Sequence, residues 1–135
     1  MKSNVFSCHK IAEGSTSGET LFSKDDICFY MVDPLTGVVI EKGHDLEGKS
    51  VAGKVLVFPT GKGSSVVQAD GLYQLQLHGN APRGMIIQHA DTVIVASAII
   101  IGIPMVNRLP SDFYEVLTPG CTVQIDTARE TVTVT

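Results

Sequence analysis

Between residues 55 and 106 short, wholly apolar runs alternate with longer runs of helical period, and no other feature of the sequence narrows the possible folds so far. Val55-Leu56-Val57-Phe58 is apolar at every position and ends at Pro59, as expected of a strand covered on both faces. From 65 to 78, Val66, Ala69, Leu72, Tyr73 and Leu75 recur at three- and four-residue spacing. Gly79 then stands where a helix takes a left-handed closing residue, so 65–78 is predicted as a helix. Met85-Ile86-Ile87 reads as a second buried strand, Thr92–Ile101 as a short apolar helix, and Pro104-Met105-Val106 as a third strand. Strand, helix, strand, helix, strand implies parallel pairing through right-handed crossovers.

The flanks read differently. Strand signals in the first sixty residues are separated by glycine turns at Glu13-Gly14, Ser17-Gly18, Pro34-Leu35-Thr36-Gly37 and Glu47-Gly48. In Asp33-Pro34-Leu35-Thr36-Gly37 the proline fixes φ and the glycine permits a positive one. A hairpin-like reversal is therefore expected between strands at 27–32 and 38–41. Ser111 or Asp112 is the expected cap of a last helix running through Leu117. Val123-Gln124-Ile125 and Val132-Thr133-Val134 alternate around Ala128-Arg129 as a final hairpin. A length of 135 residues fits one domain, 1–135, with mixed α/β content and no internal repeat or linker.

With 44% apolar and 18% charged residues, the chain has the composition of a packed domain. Its formal charge of -4, with no cluster of Lys and Arg, argues against a nucleic-acid partner. Lys2, Ser3, Asn4, His9 and Lys10 interrupt any export signal, and the expected location is the cytoplasm. The longest apolar run, 93–103, is broken by Ser97 and Gly102 and falls short of the ~20 residues that span a bilayer. Cys8, Cys28 and Cys121 are odd in number and widely spaced. They indicate neither a disulfide framework nor a metal centre on this chain.

Gly61-Lys62-Gly63-Ser64-Ser65 joins the first buried strand of this core to the first helix, and it is the segment richest in chemistry. Gly61 and Gly63 allow a ligand close to the backbone, and the helix start offers free N–H groups and a positive dipole end. Lys62 adds a cation and the two serines add hydroxyls. A plainer reading is that Ser64 or Ser65 only caps the helix. The order of residues excludes a Walker P-loop, and the absence of G-x-S-x-G excludes a nucleophile elbow.

Ser50-Val51-Ala52-Gly53-Lys54-Val55-Leu56-Val57-Phe58-Pro59, the glycine-serine loop, Asn80-Ala81-Pro82 and Gly102-Ile103-Pro104-Met105-Val106 together resemble the swivelling-domain subunit of the aconitase X family. The likeness extends back through Val32-Asp33-Pro34-Leu35-Thr36-Gly37 and covers nearly the whole chain. It implies an α/β fold, a swivelling β/β/α domain with a mixed sheet, that closes over a larger catalytic subunit as a heterodimer. It also implies a hydro-lyase acting on a small hydroxy acid, with (R)-5-phosphomevalonate favoured over cis-3-hydroxy-L-proline. Ser64 matches the first serine of the superfamily's Gly-Ser-Ser loop, the base that removes a proton beside a carboxylate. Gly61, Lys62, Gly63 and Ser65 are then substrate-binding. The resemblance assigns the iron–sulfur cluster to the large subunit and no cofactor to this chain. Aconitase follows its two serines with Arg and Glu, whereas Val66 and Val67 stand here, which argues against citrate or isocitrate.

His9, His44, His78 and His89 lack metal-binding spacing and read as structural or solvated. Asp25-Asp26 and the Asp45/Glu47 pair read as surface turns. Arg83 and Arg108 flank expected strands, and Arg108 is a candidate contact for an anion or a partner. Swivelling domains also serve as phosphohistidine carriers, but that role requires a histidine on the loop, where this chain has serines.

Overall fold

The computed structural model describes residues 4–135, so Lys2 and Ser3 lie outside the described residues. In chain order the elements are β1 (Asn4–Ser7), β2 (His9–Ala12), β3 (Ser15–Phe22), a 3-10 turn (Phe29–Met31), β4 (Val55–Phe58), α1 (Ser65–Leu77) and β5 (Gly84–Ile87). They continue with α2 (Thr92–Ile101), β6 (Met105–Asn107), α3 (Ser111–Val116), β7 (Thr122–Asp126) and β8 (Thr131–Val134). The eight strands form one mixed sheet in the order β1-β8-β7-β3-β4-β5-β6-β2. β3, β4, β5 and β6 pair in parallel, and the remaining pairs are antiparallel. β1 and β2 occupy opposite ends of that order, yet only Cys8 separates them in the chain. The sheet must therefore curl until its ends nearly meet.

The fully apolar strands are covered twice because the pleat sends alternate residues to opposite faces. Val55, Val57, Ile86 and Val106 point inward with Phe6, Val123, Ile125, Val132 and Val134, and Phe113 of α3 joins them. Leu56, Phe58, Met85, Ile87 and Met105 point outward beneath Leu72 and Leu75 of α1, Ile94 and Ala98 of α2, and the long segment containing Ile27, Phe29, Leu46 and Val51. Each fully buried side chain of this size contributes about 1.5–3 kcal/mol. The three central strands thereby anchor both layers, and the loops at their carboxyl ends are held on a rigid base.

α2 spans the predicted residues, and its ends are well fixed. Asp91 accepts from the N–H groups of Val93 and Ile94 at 2.9 and 3.1 Å, and Gly102 closes the helix at φ 79°. Asp91→Ala is expected to lower unfolding free energy by about 1 kcal/mol in urea titration. A smaller loss than a few tenths would mean that packing alone holds this end.

Four expectations are corrected. Residues 27–32 are not a hairpin strand, because the backbone of Ile27 pairs sideways with the loop at Thr60 and Lys62 and the chain then coils through the 3-10 turn. The reversal at Asp33–Gly37 does form, closed by Gly37 N–H to Asp33 C=O at 2.6 Å and by a single bridge between Val32 and Val39. Ser17-Gly18 is not a turn but lies within β3. A Cβ on Gly18 would fall 2.9 Å from Cδ of Arg83, whose guanidinium crosses the strand to donate to Ser17 C=O. α3 is capped by neither Ser111 nor Asp112: Pro110 holds the cap position, without a side-chain bond. Lastly, of the apolar residues recurring along α1, Leu72 and Leu75 are buried while Val66 and Tyr73 are 79% and 52% exposed. The buried face is Gln68, Gly71, Leu72 and Leu75.

Candidate functional site

The glycine-serine loop leaves the carboxyl end of β4 and enters α1, so it sits at the edge where open parallel sheets commonly hold ligands. Gly63 takes φ 111°, a conformation strained for any side chain, and delivers Ser64 to the N-cap position of α1. Ser64 and Ser65 are both exposed. The Ser64 carbonyl accepts the first helical bond, from Gln68 N–H at 3.0 Å, but its side chain makes no cap hydrogen bond. Its hydroxyl is thus uncommitted to the helix. No acidic residue in the first turn neutralises the positive end of the dipole.

The loop is walled by the segment around Ile27. Ile27 N–H donates to Thr60 C=O and Lys62 N–H donates to Ile27 C=O, both at 3.0 Å. Cys28 lies against Gly63, its Sγ 3.4 Å from where a Cβ would stand. Gln68, 2% exposed, reaches back from α1 to bond the backbone of both Ile27 and Phe29. Gly61 is packed so closely beneath Gln68 and Ile94 that a Cβ would lie 2.4 Å from Nε2 of the one and 2.2 Å from Cδ1 of the other.

Lys62 points to Glu41 and forms an ion pair at 2.5 Å. The hydrogen bond that the ammonium donates to Glu41 pushes it above its ordinary lysine value, so Lys62 carries its full charge near neutrality. An exposed pair of this kind contributes about 1 kcal/mol or less, and an incoming anion competes for it. Sequence reasoning missed Glu41, Cys28 and Gln68. Gln68 alone left a signal, as a polar residue four positions from Leu72 on what proves to be the buried face.

The other candidates separate from this loop. His44 is buried in a turn, accepting Leu46 N–H on Nδ1 at 3.0 Å; Nε2 then donates to Asp26 C=O at 2.9 Å. His78 bonds Gln74 C=O at the end of α1, and His9 lies on β2. Asp25 and Asp45 accept backbone N–H groups of Asp45 and Lys24, and Glu47 accepts that of Gly43; all three organise turns. Arg83 precedes β5 at the opposite edge of the sheet. His89 and Arg108 follow β5 and β6 at the same edge as the loop and line an open cavity of about 310 Å3 with Ser111 and Tyr114. His89 N–H donates to Pro59 C=O at 2.8 Å, which ties this turn to the start of the loop.

The donor set does not fit an iron–sulfur cluster. Cys8, Cys28 and Cys121 are free thiols on separate elements, and among the described residues no three His, Cys, Asp or Glu are grouped as for a metal. Burial, and then the Glu130 carboxylate, push the Cys8 thiol up to about 11, so it stays protonated at neutral pH.

Residues 5–134 match the family model described as the aconitase X swivel domain. Among curated proteins, the phosphomevalonate dehydratase small subunit of Methanocella arvoryzae is 50% identical over 119 residues, 87% of this chain and 89% of that one. The phosphomevalonate dehydratase small subunit of Methanosarcina mazei is 44% identical over 122 residues, covering 90% and 84%. Among solved structures, Thermococcus kodakaraensis aconitase X in its holo-form superposes with a TM-score of 0.88 at 35% identity, over 98% of each chain.

Proposed function

The chain belongs to the aconitase X swivel-domain family, and from that membership we propose that it is the small subunit of a two-chain hydro-lyase, bringing Ser64 as base to a substrate held by a larger subunit. The observation that carries this reading is the exposed N-cap Ser64, whose hydroxyl is not spent on the helix. On this reading residues 1–135 act as one swivelling domain in the cytoplasm. Separately, no helix among the described residues is long and apolar enough to cross a membrane.

In the proposed reaction Ser64 Oγ takes the proton from the carbon beside the substrate carboxylate. That C–H electron pair becomes the π bond of the product, and the neighbouring C–O bond breaks with its pair going to the departing hydroxide. The proton taken by Ser64 is released to solvent, so that proton and hydroxide together make the water lost in one turnover. A serine hydroxyl is a weak base at neutral pH, so an alkoxide there needs stabilising. The unpaired N–H groups and uncancelled dipole at the start of α1 do this. Gly63 turns the backbone at φ 111°, and Gly61 offers backbone groups from the position it holds beneath Gln68 and Ile94. Ser65 donates from the first turn, and Lys62 exchanges Glu41 for an anionic group of the substrate. Because this chain's residues do not fit an iron–sulfur cluster, the reading assigns the cluster, and the Lewis-acid chemistry it supplies to the departing hydroxyl, to the larger subunit.

The names of the small-subunit relatives favour (R)-5-phosphomevalonate over cis-3-hydroxy-L-proline as substrate. A phosphocarrier role is disfavoured, since no histidine lies on the loop. Co-expressed with its larger subunit and assayed on both compounds, the enzyme is expected to dehydrate phosphomevalonate at least about tenfold more efficiently in kcat/KM, a difference of about 1.4 kcal/mol at the transition state. A preference for the hydroxyproline reverses the substrate assignment, and inactivity on both removes it.

A further inference from the structure

We propose that Gln68 is the positioning residue of the site: its buried amide clamps the Ile27–Phe29 backbone against the glycine-serine loop and thereby fixes where Ser64 stands. The inference rests on the reading of Ser64 as the base and adds a residue that touches no substrate. Gln68 lies in the first turn of α1 and is 2% exposed. Its Oε1 accepts Phe29 N–H at 2.7 Å, and its Nε2 donates to Ile27 C=O at 3.0 Å. Its own N–H donates to Ser64 C=O at 3.0 Å. One residue therefore holds the serine through its backbone and the opposite wall of the loop through its side chain.

The chemistry of the two partners leaves the amide one orientation. Phe29 N–H can only donate and Ile27 C=O can only accept, so oxygen must face the first and nitrogen the second. Ile27 C=O also accepts Lys62 N–H, and Ile27 N–H bonds Thr60 C=O. These bonds close a frame from the Ile27 segment through the loop and α1 and back to the Ile27 segment. Gly61 lies directly under the amide, and a Cβ there would sit 2.4 Å from Nε2. A hydrophobic side chain of the same shape would leave the N–H of the fully buried Phe29 without an acceptor, so the amide offsets that desolvation as well as filling the space. What the amide adds is direction: it sets the distance and rotation of the helix start relative to the loop wall. Misplacing a catalytic group by about 1 Å costs about a hundredfold in rate.

The test uses the assembled two-subunit enzyme with phosphomevalonate. In Gln68→Met the side chain keeps its approximate volume and loses both bonds. kcat per assembled complex is expected to fall about a hundredfold with KM changed less than about threefold. Hydrogen exchange of the peptide containing residues 60–68 should accelerate at least about tenfold while that of β4 and β5 is unchanged. In Gln68→Glu the ionised carboxylate offers no donor to Ile27 C=O, but the protonated acid does. Its kcat should therefore rise as pH falls through the carboxyl's pKa, a limb the wild type lacks. This pH profile also serves if Gln68→Met fails to assemble. A purely structural role would lower the assembled fraction and leave kcat per complex and the shape of the pH profile unchanged, and that result overturns the proposal. Ser64→Ala run beside these variants separates the two readings. If it is inactive while Gln68→Met and Gln68→Glu turn over normally, only the positioning role fails; if it is fully active, the base assignment fails first.

Discussion

Ser64→Ala in the two-subunit enzyme should fold, assemble and bind substrate with near-normal KM, yet turn over about a hundred- to ten-thousand-fold more slowly, the usual contribution of a general base. The expected gap between catalysis and stability comes from the geometry of the helix start. A serine that caps a helix loses about 1 kcal/mol of stability on truncation, but the Ser64 hydroxyl makes no cap bond, so thermal unfolding should scarcely move. Ser65→Ala serves as the internal comparison. That side chain occupies the first helical position, and its loss should weaken substrate binding more than turnover. If Ser65→Ala abolished activity and Ser64→Ala kept it, the base would be displaced by one residue. If both kept activity, the loop would be structural.

Gly71→Ala should be the most destabilising single-methyl change in the chain, by about 2 kcal/mol net in urea unfolding. A Cβ at Gly71 would stand 2.6 Å from the carbonyl carbon of Phe29 and 2.8 Å from both Phe29 O and Tyr30 N. Those are backbone atoms, so no rotamer change relieves the contact, and overpacking of this kind costs about 1–3 kcal/mol or more. Helix propensity pulls the other way by about 1 kcal/mol, because alanine is the better helix former. The sign of the measured change therefore decides the matter: a stabilised Gly71→Ala would mean that α1 does not lie so close on the 3-10 turn. At Gly61 a Cβ would come even nearer to its neighbours, but these are the ends of Ile94 and Gln68, which can shift. The predicted loss there is smaller. In Gly71→Ala the midpoint should fall without a change in m, since the native fold persists.

Much of the parallel core was legible because its signals are local. Pro59 and Gly79 fence the run that becomes α1, Gly102 closes α2, and the apolar strands between them have no other place to go. The 3-10 turn was not legible. Ile27 to Val32 form a continuous, largely apolar run of strand length, and the partner that diverts it is the amide of Gln68, some forty positions along the chain. The buried face of α1 was ambiguous for a related reason. Val66, Ala69, Tyr73 and Leu77 form one stripe at helical spacing, Gln68, Leu72 and Leu75 another, and only the contact of Gly71 with Phe29 selects the second. At the site, Ser64 was marked by the glycines beside it. Glu41 and Cys28 approach from distant segments that carry no mark of their own.

The closure of the sheet at Cys8 has a consequence for how the protein is made. β1 pairs with β8, Asn4 opposite Val134, and β2, one residue further on, pairs with β6. β1 must therefore stay unmatched until β8, the last strand of the sheet in chain order, has been made, whereas β2 waits only for β6. The helical layer over β4, β5 and β6 is assembled from nearer neighbours and has no such wait. Folding during translation is expected to start in the parallel core and spread outward, with the curled sheet sealed in a late step when β8 reaches β1.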